Sequence, residues 1–245
     1  MSEADMLIEA ADRLLGSSID AAAMRAAREG AWLGEAWETI VDMGLPLALV
    51  SEEAGGFGIA PADALALVRL TGRYALPLPL AETMLANQAL GAAGLPLASG
   101  PAVLIDGGTL AITAQEGGWQ IAGIAPRVPW GRDVATLVVA DGTRAWRIDQ
   151  GFVVAESATN LARMPRDTLA IDARCEQWGE AAGVSPLLAG AAVRSIQMAG
   201  ALETVLALTL DHCADRVQFG RSLSKFQAVQ HELARLGAEV AAAGA

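Results

Sequence analysis

Near its C-terminal end the chain carries two long helical patterns joined by Arg216-Val217-Gln218-Phe219-Gly220-Arg221. The first opens at Ser185-Pro186, suited to an N-cap and a first helical turn, and runs to about Val217 with no further proline. At 1.5 Å per residue it is a rod of roughly 45 Å. Its seam comprises Leu202, Val205, Leu206, Thr209, Leu210, Cys213 and Val217. The second pattern is expected to start at Ser224, with Gln227 completing a capping box. Its stripe, Phe226, Val229, Leu233, Leu236 and Val240, alternates steps of three and four, the spacing of a bundle seam. Two rods cannot enclose each other's seams. Leaving such a seam in water costs several kcal/mol at about 25 cal/mol per Å², so association with another surface is expected.

The junction itself places two arginines and a glycine in a turn. Guanidinium forks bind phosphate oxygens in pairs, so the turn suits a phosphate-bearing ligand. A plainer reading has Arg216 capping the long helix and pairing with Asp215 or Glu232, Phe219 packing in the core and Arg221 solvated. His212 and His231 fall on the two helical patterns as surface or core residues, and no metal site is expected.

Composition narrows the class. Apolar residues make up 53% of the chain but aromatic residues only 4%, so the apolar content favours closely packed helices rather than aromatic cores. The net charge of -11 argues against a nucleic-acid partner. Cys175 and Cys213 are the two cysteines, at no metal or disulfide spacing, which suits a reducing, cytoplasmic setting. Met1 to Ala11 lacks the basic flank of a signal peptide. The most apolar window, Leu187 to Leu210, is interrupted by Arg194, Gln197 and Glu203, so no membrane span is expected.

Three segments follow from periodicity. Apolar residues recur at helical spacing up to about residue 96, as in Leu7, Ala10, Ala11 and Leu14 and in Trp32 to Val41; Pro61 to Arg73 and Leu80 to Gly91 read as further helices. The run Ser51 to Gly58, with three glycines, marks a loop. From about Gly100 to Cys175, short apolar runs such as Val103 to Ile105 and Ala135 to Val139 alternate with turns such as Asp141-Gly142, suggesting a small antiparallel barrel or sandwich. The expectation is an α+β chain: an N-terminal helical domain over 1–98, a small antiparallel β-barrel domain over 99–180, and the first two long helices of a C-terminal four-helix bundle over 181–245.

That order, together with Arg216-x-x-Phe219-Gly220-x-x-Leu223-x-x-Phe226-Gln227, resembles the acyl-CoA dehydrogenase family. Trp37 to Gly58 looks like the family's N-terminal stretch ending in a Pro-Glu-Glu-x-Gly-Gly-x-Gly loop, with Ser51 in place of the proline. Gly123 to Val139 looks like part of its middle β domain. The resemblance implies an FAD flavoenzyme assembled as dimers or tetramers, with the flavin lying across a subunit interface. It implies α,β-dehydrogenation of an acyl-CoA thioester, with electrons passed on to an electron-transfer acceptor. Carried over by motif, Arg216 binds the FAD pyrophosphate, Gln218 and Phe219 sit beside the adenine-dinucleotide part, and Gln227 adds a hydrogen bond.

Two departures bear on activity. The sequence ends at Ala245, after two of the four bundle helices, and the family's usual catalytic glutamate follows in the part not present here. Where a smaller branch of the family places its base, this chain has Gly190 and Ala191; Glu203 and Asp211 on the same helix read as surface or interhelical pairing. The family's Thr-Glu-x-x-x-Gly-Ser-Asp loop is not found between Leu110 and Gly123, where only Thr113 stands as a candidate flavin contact. The expectation is a short, divergent member, an oxidoreductase of CH-CH donors that needs a homo- or hetero-oligomer partner and has negligible activity alone. The alternative is a non-catalytic structural or binding subunit of the same fold.

Overall fold

The computed structural model describes residues 2–245, Glu3 through its backbone. Five helices come first: α1 (Glu3–Ser18), α2 (Ala21–Arg28), α3 (Gly34–Asp42), α4 (Pro61–Arg73) and α5 (Leu80–Ala92). Local chemistry starts several of them. Ser2 and Asp5 cap α1 reciprocally, at 2.8 and 3.0 Å. Asp20 accepts from the amides of Ala22 and Ala23 at the start of α2, and Pro61 occupies the first turn of α4. Their apolar faces share one core that includes Leu15, Ile40, Leu67 and Met84. In the glycine-rich loop, a Cβ at Gly56 would stand 2.1 Å from the Val50 carbonyl oxygen, so only glycine fits there.

Eight strands follow: β1 (Ala102–Asp106), β2 (Ala111–Gln115), β3 (Gly118–Pro129), β4 (Thr136–Ala140), β5 (Arg144–Ile148), β6 (Phe152–Glu156), β7 (Arg166–Cys175) and β8 (Trp178–Glu180). They form two four-stranded sheets, ordered β1-β4-β5-β8 and β2-β3-β7-β6. The two inner faces meet in one core, with Val103, Leu137 and Trp146 from the first sheet and Ile121, Leu169 and Ile171 from the second. The expected antiparallel barrel is therefore corrected in detail to two separate sheets, and β1 pairs with β4 in parallel. The parallel pair has a topological cause: between its strands the chain crosses to the other sheet to build β2 and β3, and such a pair requires a long crossover.

The two sheets differ in their outer faces. Alanines let α5 lie directly on the first sheet, where Ala86, Ala89 and Leu90 meet Val138, Ala140 and Ala145. Covered on both faces, β4 is buried throughout. The second sheet is open on its outer face, where Ile124 and Val153 are exposed.

The chain ends with α6 (Pro186–Asp215), a two-stranded ribbon of β9 (Val217–Gln218) and β10 (Arg221–Ser222), and α7 (Gln227–Ala243). By length and composition α6 is the one described helix apolar enough to cross a membrane. Its first half is fastened to α4, because a glycine on each helix removes the side chain at the crossing. A Cβ at Gly200 would stand 2.1 Å from the Arg69 carbonyl oxygen, and one at Gly72 would stand 2.0 Å from that of Gln197.

The Ser224–Gln227 capping box is not formed. Ser224 lies in a single 3-10 turn, Leu223–Lys225, and α7 begins three residues after it with Phe226 at the N-cap and no side-chain cap bond. The ribbon sets this offset: Leu223 donates its amide to the Arg216 carbonyl at 2.9 Å, holding the turn against the end of α6. Gln230 instead donates its side-chain amide to the Ser224 carbonyl at 2.9 Å.

Candidate functional site

The structure gathers Arg216, Gln218 and Phe219 on one exposed hairpin and puts Gln227 at the first residue of α7, just beyond it. Arg216 leaves the helix with extended backbone so that Val217 can pair with Ser222. The two residues at the tip, Phe219 and Gly220, have φ of 51° and 80°. Positive φ at both central positions makes a hairpin turn whose twist matches its strands. Glycine takes that geometry freely, whereas for phenylalanine it is strained. Phe219 is nevertheless 93% exposed, its ring 6.3 Å from that of Phe226. Arg221 lies over the Phe226 ring at 4.1 Å.

Arg216 is exposed, and among the described residues no carboxylate lies within ion-pair distance of its guanidinium. The pairing with Asp215 or Glu232 is not made; Glu232 pairs with Arg235 at 2.6 Å. Glu203 pairs across helices with Arg69, also at 2.6 Å. His212 and His231 are exposed.

A second feature was not visible in the sequence. A cleft of about 650 Å³ opens where the end of α2, the end of α4, the turn after β3, the loop before β7 and the first half of α6 converge. Its construction begins at a β-bulge in β3, where the register against β7 shifts between Ala125 and Val128 and Arg127 has φ of 56°. The bulge delivers Trp130 and Asp133 to the cleft wall. The turn is anchored through Arg132, whose side chain grips Asp167 with Nε at 3.0 and 3.2 Å and whose backbone amide donates to the same carboxylate at 2.8 Å. Ala158 donates a further amide at 3.1 Å. Burial works against the charge on Asp167, but these donors outweigh it and hold the carboxyl below the ordinary range. Asp133 shows the opposite balance. Burial raises its pKa, with Arg132 offsetting and the Asp167 charge adding to the rise.

The α6 side of the cleft is a chain of hydrogen bonds. Arg194 donates to the buried Glu82 of α5 and to the side-chain oxygen of Gln197. Gln197 donates to the Thr71 hydroxyl at 2.8 Å, which in turn donates to the Val68 carbonyl at 2.7 Å. Arg166 is half-buried nearby. Its pKa is lowered first by burial and then by the Arg194 charge, with Glu82 offsetting. One signal for this cluster did stand in the sequence: Glu82 is the one charged residue of α5.

The cleft and the hairpin lie at opposite ends of α6. Arg194 and Arg216 are 22 residues apart along it, about 33 Å at helical rise. A groove of about 630 Å³ between the second half of α6 and α7, lined by Cys213, Val229, Leu233 and Leu236, leaves their seams partly open.

The chain is 31% identical over 251 residues to the acyl-CoA dehydrogenase IpdE2 of Mycobacterium tuberculosis, covering 99% of this chain and 74% of the relative. It belongs to the acyl-CoA dehydrogenase family. The family profile described as acyl-CoA dehydrogenase, C-terminal domain, matches residues 181–245, the part that holds the hairpin. Solved structures share the fold at lower identity. The ChsE4-ChsE5 complex from Mycobacterium tuberculosis superposes with a TM-score of 0.82 at 20% identity, over 98% of this chain and 75% of that one. PigA with FAD and proline superposes with a TM-score of 0.80 at 17% identity, over 98% and 76%.

Proposed function

We propose that this chain is an FAD-binding subunit for α,β-dehydrogenation of an acyl-CoA thioester, with each flavin shared between two chains. The observation that carries this reading is the separation of Arg216 from the cleft at Arg194, about 33 Å along one helix. That span suits the arrangement the family resemblance implies, in which the hairpin of one chain serves the cleft of its neighbour.

The residues fit FAD. Arg216 is permanently cationic and not engaged by a protein carboxylate, as a pyrophosphate ligand requires. Gln218 and Phe219 are exposed on the same hairpin, and Gln227 lies in the first turn of α7, where unpaired amides favour an anion. Bound FAD supplies a two-electron acceptor, whose electrons then go to an electron-transfer acceptor. PigA, with the same fold, binds FAD, which supports the cofactor assignment. The open seam of α6 and α7 supports a partner, and the two-component ChsE4-ChsE5 complex makes a hetero-oligomer the favoured form over a homo-oligomer. We infer a cytoplasmic protein of lipid metabolism, with no nucleic-acid or membrane partner, divided as 1–98, 99–180 and 181–245.

One observation favours the alternative of a non-catalytic subunit. β2 and β3 are joined by Glu116-Gly117 alone, with Gly117 at φ 77°, so no loop is present there to reach a flavin. The two readings separate on cofactor content. The reading proposed here expects bound FAD in the purified assembly, its loss on Arg216→Ala, and negligible thioester-dependent flavin reduction by the single chain. A colourless assembly that stays so with added FAD favours the structural subunit.

A further inference from the structure

We propose that the cleft selects a thioester whose acyl group carries a free carboxylate, held by Arg163 and Arg166, an inference that rests on the dehydrogenase reading above. The backbone marks the cleft as a built site. Five described residues other than glycine have φ in the left-handed region, and three of them, Ala75, Trp130 and Arg163, line this cleft. Such strain persists only where the surroundings impose it, and it gathers at ligand sites. Around Arg163 the restraint is explicit. Its amide donates to the Asn160 carbonyl at 2.9 Å, and the Met164 amide donates to the Asn160 side chain at 3.0 Å. Beyond it, Trp130 donates its amide to the Pro165 carbonyl at 3.2 Å and Arg166 to the Ala158 carbonyl at 2.9 Å. Segment 163–166 is thereby fixed against the cleft wall.

Charge around the cleft runs against that of the chain. The sequence has 28 acidic and 17 basic residues, yet the lining has four arginines, Arg28, Arg132, Arg163 and Arg194, against Glu29 and Asp133. Arg166 lies beside them, near enough to Arg194 and Glu82 to feel both charges. Arg132 is committed to Asp167 and Arg194 to Glu82. Arg28 is followed by Glu29, both exposed at the end of α2, where their charges offset. Asp133 is half-buried, and burial disfavours its charge. Arg163 and Arg166 remain, and among the described residues no carboxylate lies within ion-pair distance of either. Arg163 is exposed and Arg166 half-buried. A cation partly withdrawn from water without a counter-charge is unfavourable, and an anion brought by a ligand relieves it. The rest of the wall is largely apolar, with Met24, Trp32, Leu76, Trp130, Met164 and Met198, and suits an acyl body. The anion that such a body can carry is a carboxylate, whose two oxygens match the guanidinium fork.

Matched thioesters test this by isothermal titration of the purified assembly: adipyl-CoA and suberyl-CoA against hexanoyl-CoA and octanoyl-CoA, with free CoA as a third arm. Within each pair only the last carbon differs, a carboxylate in one and a methyl in the other. FAD content is read from the absorption spectrum of the same samples. Wild type is expected to bind the dicarboxylic thioester at least about 10-fold more tightly than its match. Arg163→Gln and Arg166→Gln should each lose most of that preference while binding the monocarboxylic thioester within about two-fold of wild type. Because Arg163 is exposed, its variant keeps the test decisive even if Arg166→Gln alters the circular dichroism. Equal affinities for the two classes in wild type overturn the inference. So does a loss of hexanoyl-CoA and free CoA as large as that of adipyl-CoA, which assigns the arginines to the phosphates of CoA. Either result in an assembly that holds FAD leaves the flavoprotein reading standing, whereas an assembly that binds neither FAD nor any thioester overturns both.

Discussion

Two stretches of α6, Val193 to Thr204 and Val205 to Leu210, sit in different environments. In the first, Val193, Ala199 and Gly200 are buried, Arg194 and Gln197 are bonded to α5 and α4, and Glu203 and Thr204 tie to Arg69 and to the Arg73 carbonyl. In the second, Val205, Leu208 and Leu210 stand exposed on the way to a hairpin whose tip is an exposed phenylalanine. The first stretch, Met198 excepted, has its partners within the chain, whereas the second leaves its large apolar side chains in solvent. Stability should therefore depend on the first stretch, and the proposed assembly and cofactor on the second.

Glycine substitutions test that contrast most sharply. Gly200→Ala places a methyl against the α4 backbone, where neither helix can yield without parting, and is expected to cost about 3 kcal/mol or more in denaturant unfolding. A cost below 1 kcal/mol would mean the crossing is loose. Next in size is Asp167→Asn, which breaks a pair whose carboxylate is fully buried; it should cost about 3 kcal/mol, the low end for such pairs because Arg132 is partly exposed. This carboxyl's folded pKa lies below its unfolded value of about 4. Its contribution is thus fully present above that value and lost as pH falls towards the folded pKa. The wild type should lose this increment of stability on acid titration, and a variant with an unchanged acid slope would contradict the linkage.

The second half of the contrast predicts small or favourable effects on stability. Phe219→Gly relieves a left-handed backbone and should raise the stability of the free chain by up to about 1 kcal/mol, while weakening self-association or partner association in sedimentation. Gly237→Ala, on α7 where a new Cβ meets nothing within 4 Å, should add up to about 1 kcal/mol of helix propensity. If both variants destabilise the free chain, the hairpin and α7 are structural parts of the monomer.

Local chemistry explains what was legible from residues alone. Pro61 and Ser185-Pro186 marked the starts of α4 and α6 because proline suits a first turn. Asp141-Gly142 marked the turn between β4 and β5, where Asp141 accepts from the amides of Thr143 and Arg144. β7 was missed because its inward set, Asp167, Leu169, Ile171, Ala173 and Cys175, alternates with Thr168, Ala170, Asp172 and Arg174 and opens with a charge rather than forming an apolar run. The cleft was hidden for a different reason. Its bonds join Arg132 to Asp167, Arg194 to Glu82 and Gln197 to Thr71, 35, 112 and 126 positions apart, and spacing within one segment carries no sign of them. The turn between α6 and α7 could be read because Arg216 to Arg221 lie together in one segment.

The absorption spectrum of the purified assembly, wild type against Arg216→Ala, reaches the central claim most directly. The account predicts flavin bands in the wild type and their loss in the variant, with unchanged circular dichroism and an unfolding free energy within about 0.5 kcal/mol of wild type, since the side chain is exposed. Flavin retained by the variant, or none taken up by the wild type from added FAD, would contradict it.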